Sequence, residues 1–584
     1  LLITWKNKNL NARKTIICVI VFLAFFIRGA YEQKNNITHL SNVENKNLEL
    51  VVSDRFDVNG AYVSSIGYLS DEKVLVSYLV KSEEEKKFFK EKFWGGKILV
   101  NANIEDTSEK TNFYSFDYKK YNENRGIFKR VTINEIHDVK NIDSVYFKFL
   151  TLRNKLSLKI NRELTFDKSG YFQALIFGDK GYLLKDDINS FKNLGTSHLL
   201  AISGLHIGVL ISLIYFILLK FRVSVEYIEK IILTIVPLYM LLSGASASVL
   251  RAGFMIIFYI LLRRKNIDKL GSLFLTFLIL IMYNPLFIFN IGFQLSFLIT
   301  FCLLMSESYI KKAKNKFHGA LRISLISTLA SMPILMYNFY NIVYISVFSN
   351  IILVPIFSVV IFPLVIFSYI LFLINIQLFN TICRPILNIT FNIFDKIQDL
   401  FLIAQPIRIG KLNIFFIIVI FIFVLTILIN LNKFKYMSAI YGVFGIILVC
   451  LGATYTPKAY IEDVNIGKES ILYVRENKKN MLINTSNNIQ NFYTDYRKKD
   501  KDYDIINQYD LLLNYEGKNK FDYLLLTSAK KNKSEYSLDL IANDLVGKVI
   551  VIESLEKKLQ EVRNMAQYKK IDYIVLKENT EMKF

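Results

Sequence analysis

The sequence predicts a polytopic α-helical membrane protein with a small β-barrel domain ahead of its main group of spans and an αβ domain behind them. Three observations lead there. Apolar residues, 53% of the chain, are concentrated between roughly 195 and 454, in repeated runs near the length a helix needs to cross a hydrocarbon core. Short β-rich segments occupy 50–145, and from 455 onward apolar strands alternate with polar or helical connections. Charge is sorted as well. Residues 31–190 hold 25 basic and 24 acidic side chains and residues 455–584 hold 22 and 20, so nearly all of the net +22 belongs to the membrane portion and the amino-terminal tail.

That basicity has two explanations, a polyanionic cargo or the Lys/Arg surplus of cytoplasmic loops. Of 20 basic residues in 191–454, 13 lie in the turns at 220–230, 263–269, 311–316 and 433–435. Topology therefore accounts for most of the excess, and the charge by itself is weak evidence for DNA. The four cysteines, Cys18, Cys302, Cys383 and Cys450, fall in or beside apolar stretches. Neither soluble domain is expected to hold a disulfide or a cysteine metal site.

Residues 1–30 read as a retained anchor helix. Arg13 and Lys14 precede the apolar run Thr15 to Ile27 and Arg28 follows, with no clear small-x-small cleavage site. Residues 31–150 contain LELVVS, KVLVSYLV, GKILVNANI and FKRVTINEI, whose spacing suits a small barrel. A helical connector is expected over 151–196. In 197–454 we place about ten spans, near 197–219, 231–245, 247–262, 268–284, 287–306, 319–338, 342–358, 359–377, 410–431 and 437–453. TICRPILNITFNIFDKIQDLFL, at 381–402, has apolar residues at helical spacing around Arg384, Asp395, Lys396 and Asp399, as a helix lying in the interface would. Residues 455–584, with SILYV, NMLIN, DYLLLTS, KVIVIES and DYIVLKE, form the αβ domain. With Arg13 and Lys14 inside, alternation puts Lys220, Arg222, Arg263–Lys265 and the KKAKNK run inside too. Lys433 and Lys435 follow if two spans fill 342–377. Both soluble domains then lie on the extracytoplasmic side.

GTSHLLAISGLHIG, at 195–208, enters the bilayer with two histidines, two serines and three glycines. At about 100° per residue, His198, His206 and Ser203 share one arc, while Gly204 and Gly208 lie on the other side as a GxxxG surface for close helix approach. Ionisable groups at this depth are costly unless they face a wet cavity or pair with each other. The helix therefore lines a pore, or its polar face is glue between helices. Ser203 and His206 are at i, i+3, as a nucleophile and its base would be, but no third group orients the base. Arg251 interrupts an apolar segment, where it offers a fixed charge to a phosphate or snorkels to the surface. Gln294 lines a cavity or bridges helices. Pro285, Pro355 and Pro363 break helices beside a cavity or only kink them.

HLLAISGLHIG, with LIFGDKGYLLKDDINSFKNLGTS before it, resembles the signature of the ComEC family, inner-membrane channels that carry single-stranded DNA into naturally competent bacteria. LSGASASVLRAGFM at 242–255, NPLFIFNIGFQLSF at 284–297 and NIILVP at 350–355 are similar to further family segments, in the same order. NFYSFDYKKYNENRGI, at 112–127, resembles the Phe-Asp-Tyr motif that ends the family's OB-fold, with Asp117 and Tyr118 at its centre. The resemblance implies an OB-like outer barrel as a surface for single strands. It also implies a DNA path near His198, Ser203, His206, Arg251 and Gln294, with Gly204, Gly208, Asp117, Tyr118 and Pro355 as structural motif positions. The implied partners are single-stranded DNA, the lipid bilayer of a bacterial cytoplasmic membrane, and an extracytoplasmic DNA receptor. A cytoplasmic ATPase and strand-binding proteins complete the set, since no GxxxxGK[ST] pattern occurs.

Many family members carry a carboxy-terminal metallo-β-lactamase-like domain. Here IEDVNIGKESILYV, MLINTS and FDYLLLTSAKKNK resemble its scaffold, but the ligand positions of its His-rich cluster fall on Ser528, Lys530, Asn532 and Lys533. Asn484 and Ser486 replace the aspartate and glycine of its turn. All five histidines, His39, His137, His198, His206 and His318, precede residue 319, and a zinc site with neither His nor Cys would be very unusual. The tail is expected to be a degenerate domain without metal or cofactor, in a transporter that is not an enzyme. The alternatives are a surviving nuclease, an intramembrane Ser203/His206 hydrolase, or a carrier of another anionic or lipid cargo.

Overall fold

In the computed structural model the structure describes residues 12–52, 56–93, 95–140, 142–164, 166–263, 267–454, 459–466, 469–477, 479–484, 501–529 and 531–577. Arg264, Lys265, Ser486 and Lys530 lie outside these, as do the side chains of Arg13, Lys14, Asn532 and Lys533.

The amino-terminal helix, Ala12–Asn35, continues past Arg28 and packs on the Pro285–Phe289 turn. Strands β1 (Val43–Val52), β2 (Asp57–Asn59), β3 (Tyr62–Leu69), β4 (Glu72–Leu79), β5 (Gly96–Asp106) and β6 (Ile127–Lys140) form one sheet. β1 pairs with both β5 and β3, so five strands close in the ring β1-β3-β4-β6-β5, in which only β4 and β6 run parallel. Alternate residues of β3 point inward, as a strand's two-residue period requires. Val63, Val74, Val76, Ala102 and Val131 are wholly buried. Gly67 sits where β1 crosses β3. A β-carbon there would come within 2.9 Å of Val76 and 3.2 Å of the Val51 carbonyl.

Among the described residues four helices are long and apolar enough to cross a bilayer, Lys316–Phe339, Ser346–Ile374, Ile414–Asn432 and Tyr436–Thr454. Shorter apolar helices are Gly204–Lys220, Ala247–Leu262, Lys269–Tyr283 and Ile291–Met305. One expectation needs correcting: 342–358 and 359–377 are not two spans. They form a single helix, Ser346–Ile374, widened to a π-turn over Ile356–Ile361. Pro363 supplies no N–H and its ring presses on the preceding turn, and a π-turn absorbs such a defect without a break. The side of entry is unaffected. β7 (Asn341–Ile342) pairs with β8 (Ile407–Arg408), so the chain enters and leaves this segment at one place.

Charged helix ends gather at the opposite pole. Arg263 pairs with Glu229 at 2.7 Å, Lys311 with Glu307 at 2.9 Å, and Lys312 sits 4.8 Å over the Phe434 ring. The connector is no loose link. Its π-helix, Gln173–Phe177, is wholly buried against the Ser346–Ile374 helix. Lys168 bridges Asp187 (2.8 Å) and Asp395 (2.9 Å), tying the connector to the amphipathic helix Arg384–Leu402.

In the carboxy-terminal domain, β9 (Ala459–Ile466), β10 (Glu469–Glu476) and β11 (Lys479–Asn484) form an antiparallel meander. β12 (Phe521–Leu526), β13 (Val546–Ile552) and β14 (Asp572–Leu576) extend it in parallel, joined by helices.

Candidate functional site

The Gly204–Lys220 helix begins with a reciprocal cap. The Ser203 backbone N–H donates to His206 Nδ1 at 3.0 Å, and the Leu205 N–H donates to Ser203 Oγ at 3.3 Å. Ser203 Oγ also lies 3.1 Å from the same ring nitrogen. Helix starts leave N–H groups unpaired, and a side chain three residues in commonly answers the cap. Accepting at Nδ1 puts the ring proton on Nε2, a tautomer assigned from the network. Nε2 is buried without a partner, and the ring lies 4.7 Å from Phe362 and 6.0 Å from Phe357, centroid to centroid. His206 is fully buried, Ser203 half-buried and His198 exposed. Among the described residues no carboxylate bonds the imidazole, and Ser203 and His206 together cap the helix start.

Arg251 lies on the Ala247–Leu262 helix and is 7% exposed. Its Nε donates to Ser296 Oγ at 2.8 Å, across to the Ile291–Met305 helix, and Nη1 points at Met255 Sδ, 3.7 Å away. Nη2 rests against Gly204, where any β-carbon would collide with it. Among the described residues Arg251 has no acidic partner. The guanidinium therefore sits where three helices meet, one of them presenting its positive end. The tight contacts fall at Gly204 and at Gly253, which faces the Met240 side chain. At Gly208 a β-carbon would meet nothing within 4 Å. This corrects the expected paired-glycine surface, because only one of the two glycines takes a neighbour. Gln294 Nε2 donates to the Ile288 carbonyl at 2.7 Å, securing the turn before its own helix. Pro355 lies within the continuous Ser346–Ile374 helix, immediately before the π-turn.

The Phe-Asp-Tyr motif does two things. Asp117 caps a short helix, Tyr118–Glu123, accepting from the Lys120 N–H at 2.9 Å, and Tyr118 is exposed. The residues just before it anchor the barrel to the carboxy-terminal domain. Asn112 Nδ2 donates to the Asn465 carbonyl at 2.8 Å, and the Asn465 N–H donates to Asn112 Oδ1 at 2.7 Å. Tyr114 is buried with Tyr473, Tyr509 and Leu513 in that domain's core, and burial raises its hydroxyl pKa. Phe113 packs edge-on to Tyr515 and Tyr460, 5.2 and 5.9 Å away. Sequence reasoning missed this docking. Its signal was an aromatic run, Phe113-Tyr114, too apolar for an exposed loop.

Comparison with known proteins bears on the membrane portion first. The family model described as Competence protein matches residues 175–434, from the buried π-helix through the Lys433 turn. This segment is similar to the competence-protein family. The chain's similarity to "ComE operon protein 3" of Bacillus subtilis is 29% identity over 343 residues, covering 58% of this chain and 44% of that one. "Recombination protein 2" of Haemophilus influenzae is 24% identical over 313 residues, 50% of this chain and 38% of that one. The chain thus spans less than half the length of these curated relatives. No solved structure matches it.

Proposed function

We propose that this chain passes single-stranded DNA across the bacterial cytoplasmic membrane during natural transformation. The observation that carries the reading is Arg251. An arginine at the centre of a membrane helix costs about 3 kcal/mol on insertion scales; Arg251, about one turn inside its helix, bears part of that cost, and one hydroxyl hydrogen bond returns about 1 kcal/mol net. A buried cation with no carboxylate partner beside a helix's positive end favours a passing anion, and a phosphate backbone supplies one at every step. The path runs by His198, Ser203, Arg251 and Gln294, with His206 holding the helix start in place.

The barrel is read as an OB-type domain. Its five-strand ring with one parallel pair supports this. A bilayer cannot separate domains joined through Asn112 and Asn465, so both occupy one side. The gathering of basic helix ends at the other pole favours the outside. The tail is read as a degenerate metallo-β-lactamase-like scaffold. Residues 455–584 contain neither His nor Cys, so the donor set does not fit the His-rich zinc centre of that scaffold, and the domain's role is to hold the barrel linker. Motive force then comes from a cytoplasmic ATPase or strand-binding proteins, with an outer receptor delivering DNA. A strain lacking the chain is expected to lose nuclease-protected uptake of labelled DNA. Undiminished uptake and recombination would defeat the proposal.

A further inference from the structure

Where the barrel linker, the helix bundle and the carboxy-terminal domain meet, a cleft of about 590 Å³ opens. Phe113, Tyr337, Tyr460 and Tyr515 line it, with Lys411 and Glu462 among the residues between them. Tyr337 stands at the end of the Lys316–Phe339 helix and is 49% exposed. Tyr515 is the hub, 5.2 Å from the Phe113 ring and 5.4 Å from the Tyr340 ring. The Lys411 ammonium is 5.2 Å from the Tyr515 centroid and donates to its hydroxyl at 3.3 Å. Lys411 is exposed and forms no ion pair among the described residues.

These features match one ligand chemistry. Tyr337 is exposed at the rim, Phe113, Tyr460 and Tyr515 are half-buried behind it, and aromatic rings beside a cation stack bases whatever their sequence. Asn413 Oδ1 caps the next helix, accepting from Phe415 N–H, so the aromatic rings supply most of the surface a base would meet. The cleft is tied through the backbone to the segment that precedes the candidate path. Lys411 follows β8, whose partner β7 runs into the segment packed on Gly195, and Ser349 Oγ donates to the Leu194 carbonyl at 3.1 Å.

The geometry points to this cleft as a sequence-tolerant docking site for a single-stranded polynucleotide, its bases on the tyrosine rings and a phosphate on Lys411. This rests on the DNA-transport reading and adds where the strand is first gripped. Glu462 is exposed on the same rim, and its repulsion keeps the phosphates on the Lys411 side.

The test is fluorescence anisotropy of a labelled 20-mer oligothymidylate with the full chain in phosphatidylcholine nanodiscs. Tyr337→Ala is expected to weaken binding about tenfold, the loss of roughly one stacked base. Lys411→Ala should weaken it and reduce the salt slope by about one, while Glu462→Gln strengthens it. Tyr337→Phe and Lys411→Arg should bind as wild type, which separates stacking and charge from misfolding. Wild-type binding unchanged in Tyr337→Ala and Lys411→Ala would overturn the cleft and leave the transport reading standing. No binding by wild type would overturn the cleft, and normal uptake in the deletion strain would then remove the transport reading too. Variants altered only in affinity for phosphatidylglycerol vesicles would make the cleft a lipid site and overturn it.

Discussion

Gly204 and Gly208 lie one helical turn apart, yet a methyl group would act differently at each. At Gly204 it would push on the Arg251 guanidinium, the mobile end of a long side chain. Gly204→Ala is therefore expected to keep the fold, shifting stability by no more than about 1 kcal/mol, while DNA uptake falls. At Gly208 it would meet nothing, and alanine is the better helix former by up to about 1 kcal/mol. Gly208→Ala should leave both uptake and thermal unfolding in detergent unharmed. Gly170 is the opposite extreme, since a β-carbon there strikes the Tyr182 backbone carbonyl. Gly170→Ala should cost roughly 1–3 kcal/mol, visible as a lowered Tm. The types and spacing of the site residues were legible in the sequence, but their partners were not. Ser203-x-x-His206 has the spacing of a capping box, and histidine hid it because glutamate or glutamine usually fills that place.

Among elements, the barrel strands were readable wherever β-branched residues dominate, as in KVLVSYLV. YVSSIGYL escaped because two serines and a glycine weaken its strand propensity, though it forms β3 and closes the ring. The apolar stretch 342–377 misled by length, which suits two spans, while the π-turn before Pro363 lets one helix use it all. Paired elements also make a pH prediction. Asp106 on β5 faces Lys129 on β6. Hydrogen bonds from Lys129 (2.8 Å) and Asn42 (3.0 Å) hold its carboxyl below the ordinary carboxylate range. A depressed pKa stabilises the fold above the ordinary value, and the gain disappears as pH falls through the depressed one. Hydrogen exchange of β5 and β6 amides should quicken on acidification through that window in wild type. In Asp106→Asn this part of the acid response should be absent. Equal acid responses would show that the latch contributes nothing.

For the whole molecule, the main finding is how the barrel, the helix bundle and the carboxy-terminal domain converge. Each part announced itself through its own pattern of period and charge. Their docking could not be read, because Asn112 and Asn465 lie far apart in sequence and bond through single side chains without any repeat. Tyr114→Ala should loosen the junction, since truncating a buried aromatic costs about 3–5 kcal/mol. Protection of the carboxy-terminal core around Tyr509 and Leu513 should fall, and limited proteolysis should release that domain. Unaltered protection would mean that the two domains stand independently. The proposed passage of DNA depends on the buried Arg251 cation being available to a polyanion. The direct measurement is nuclease-protected uptake of labelled DNA by cells carrying Arg251→Met, a change that preserves length and apolar contact while removing charge. Wild-type protein levels with uptake reduced at least about tenfold, partly restored by Arg251→Lys, is the predicted result. Full uptake by Arg251→Met at those levels would contradict it.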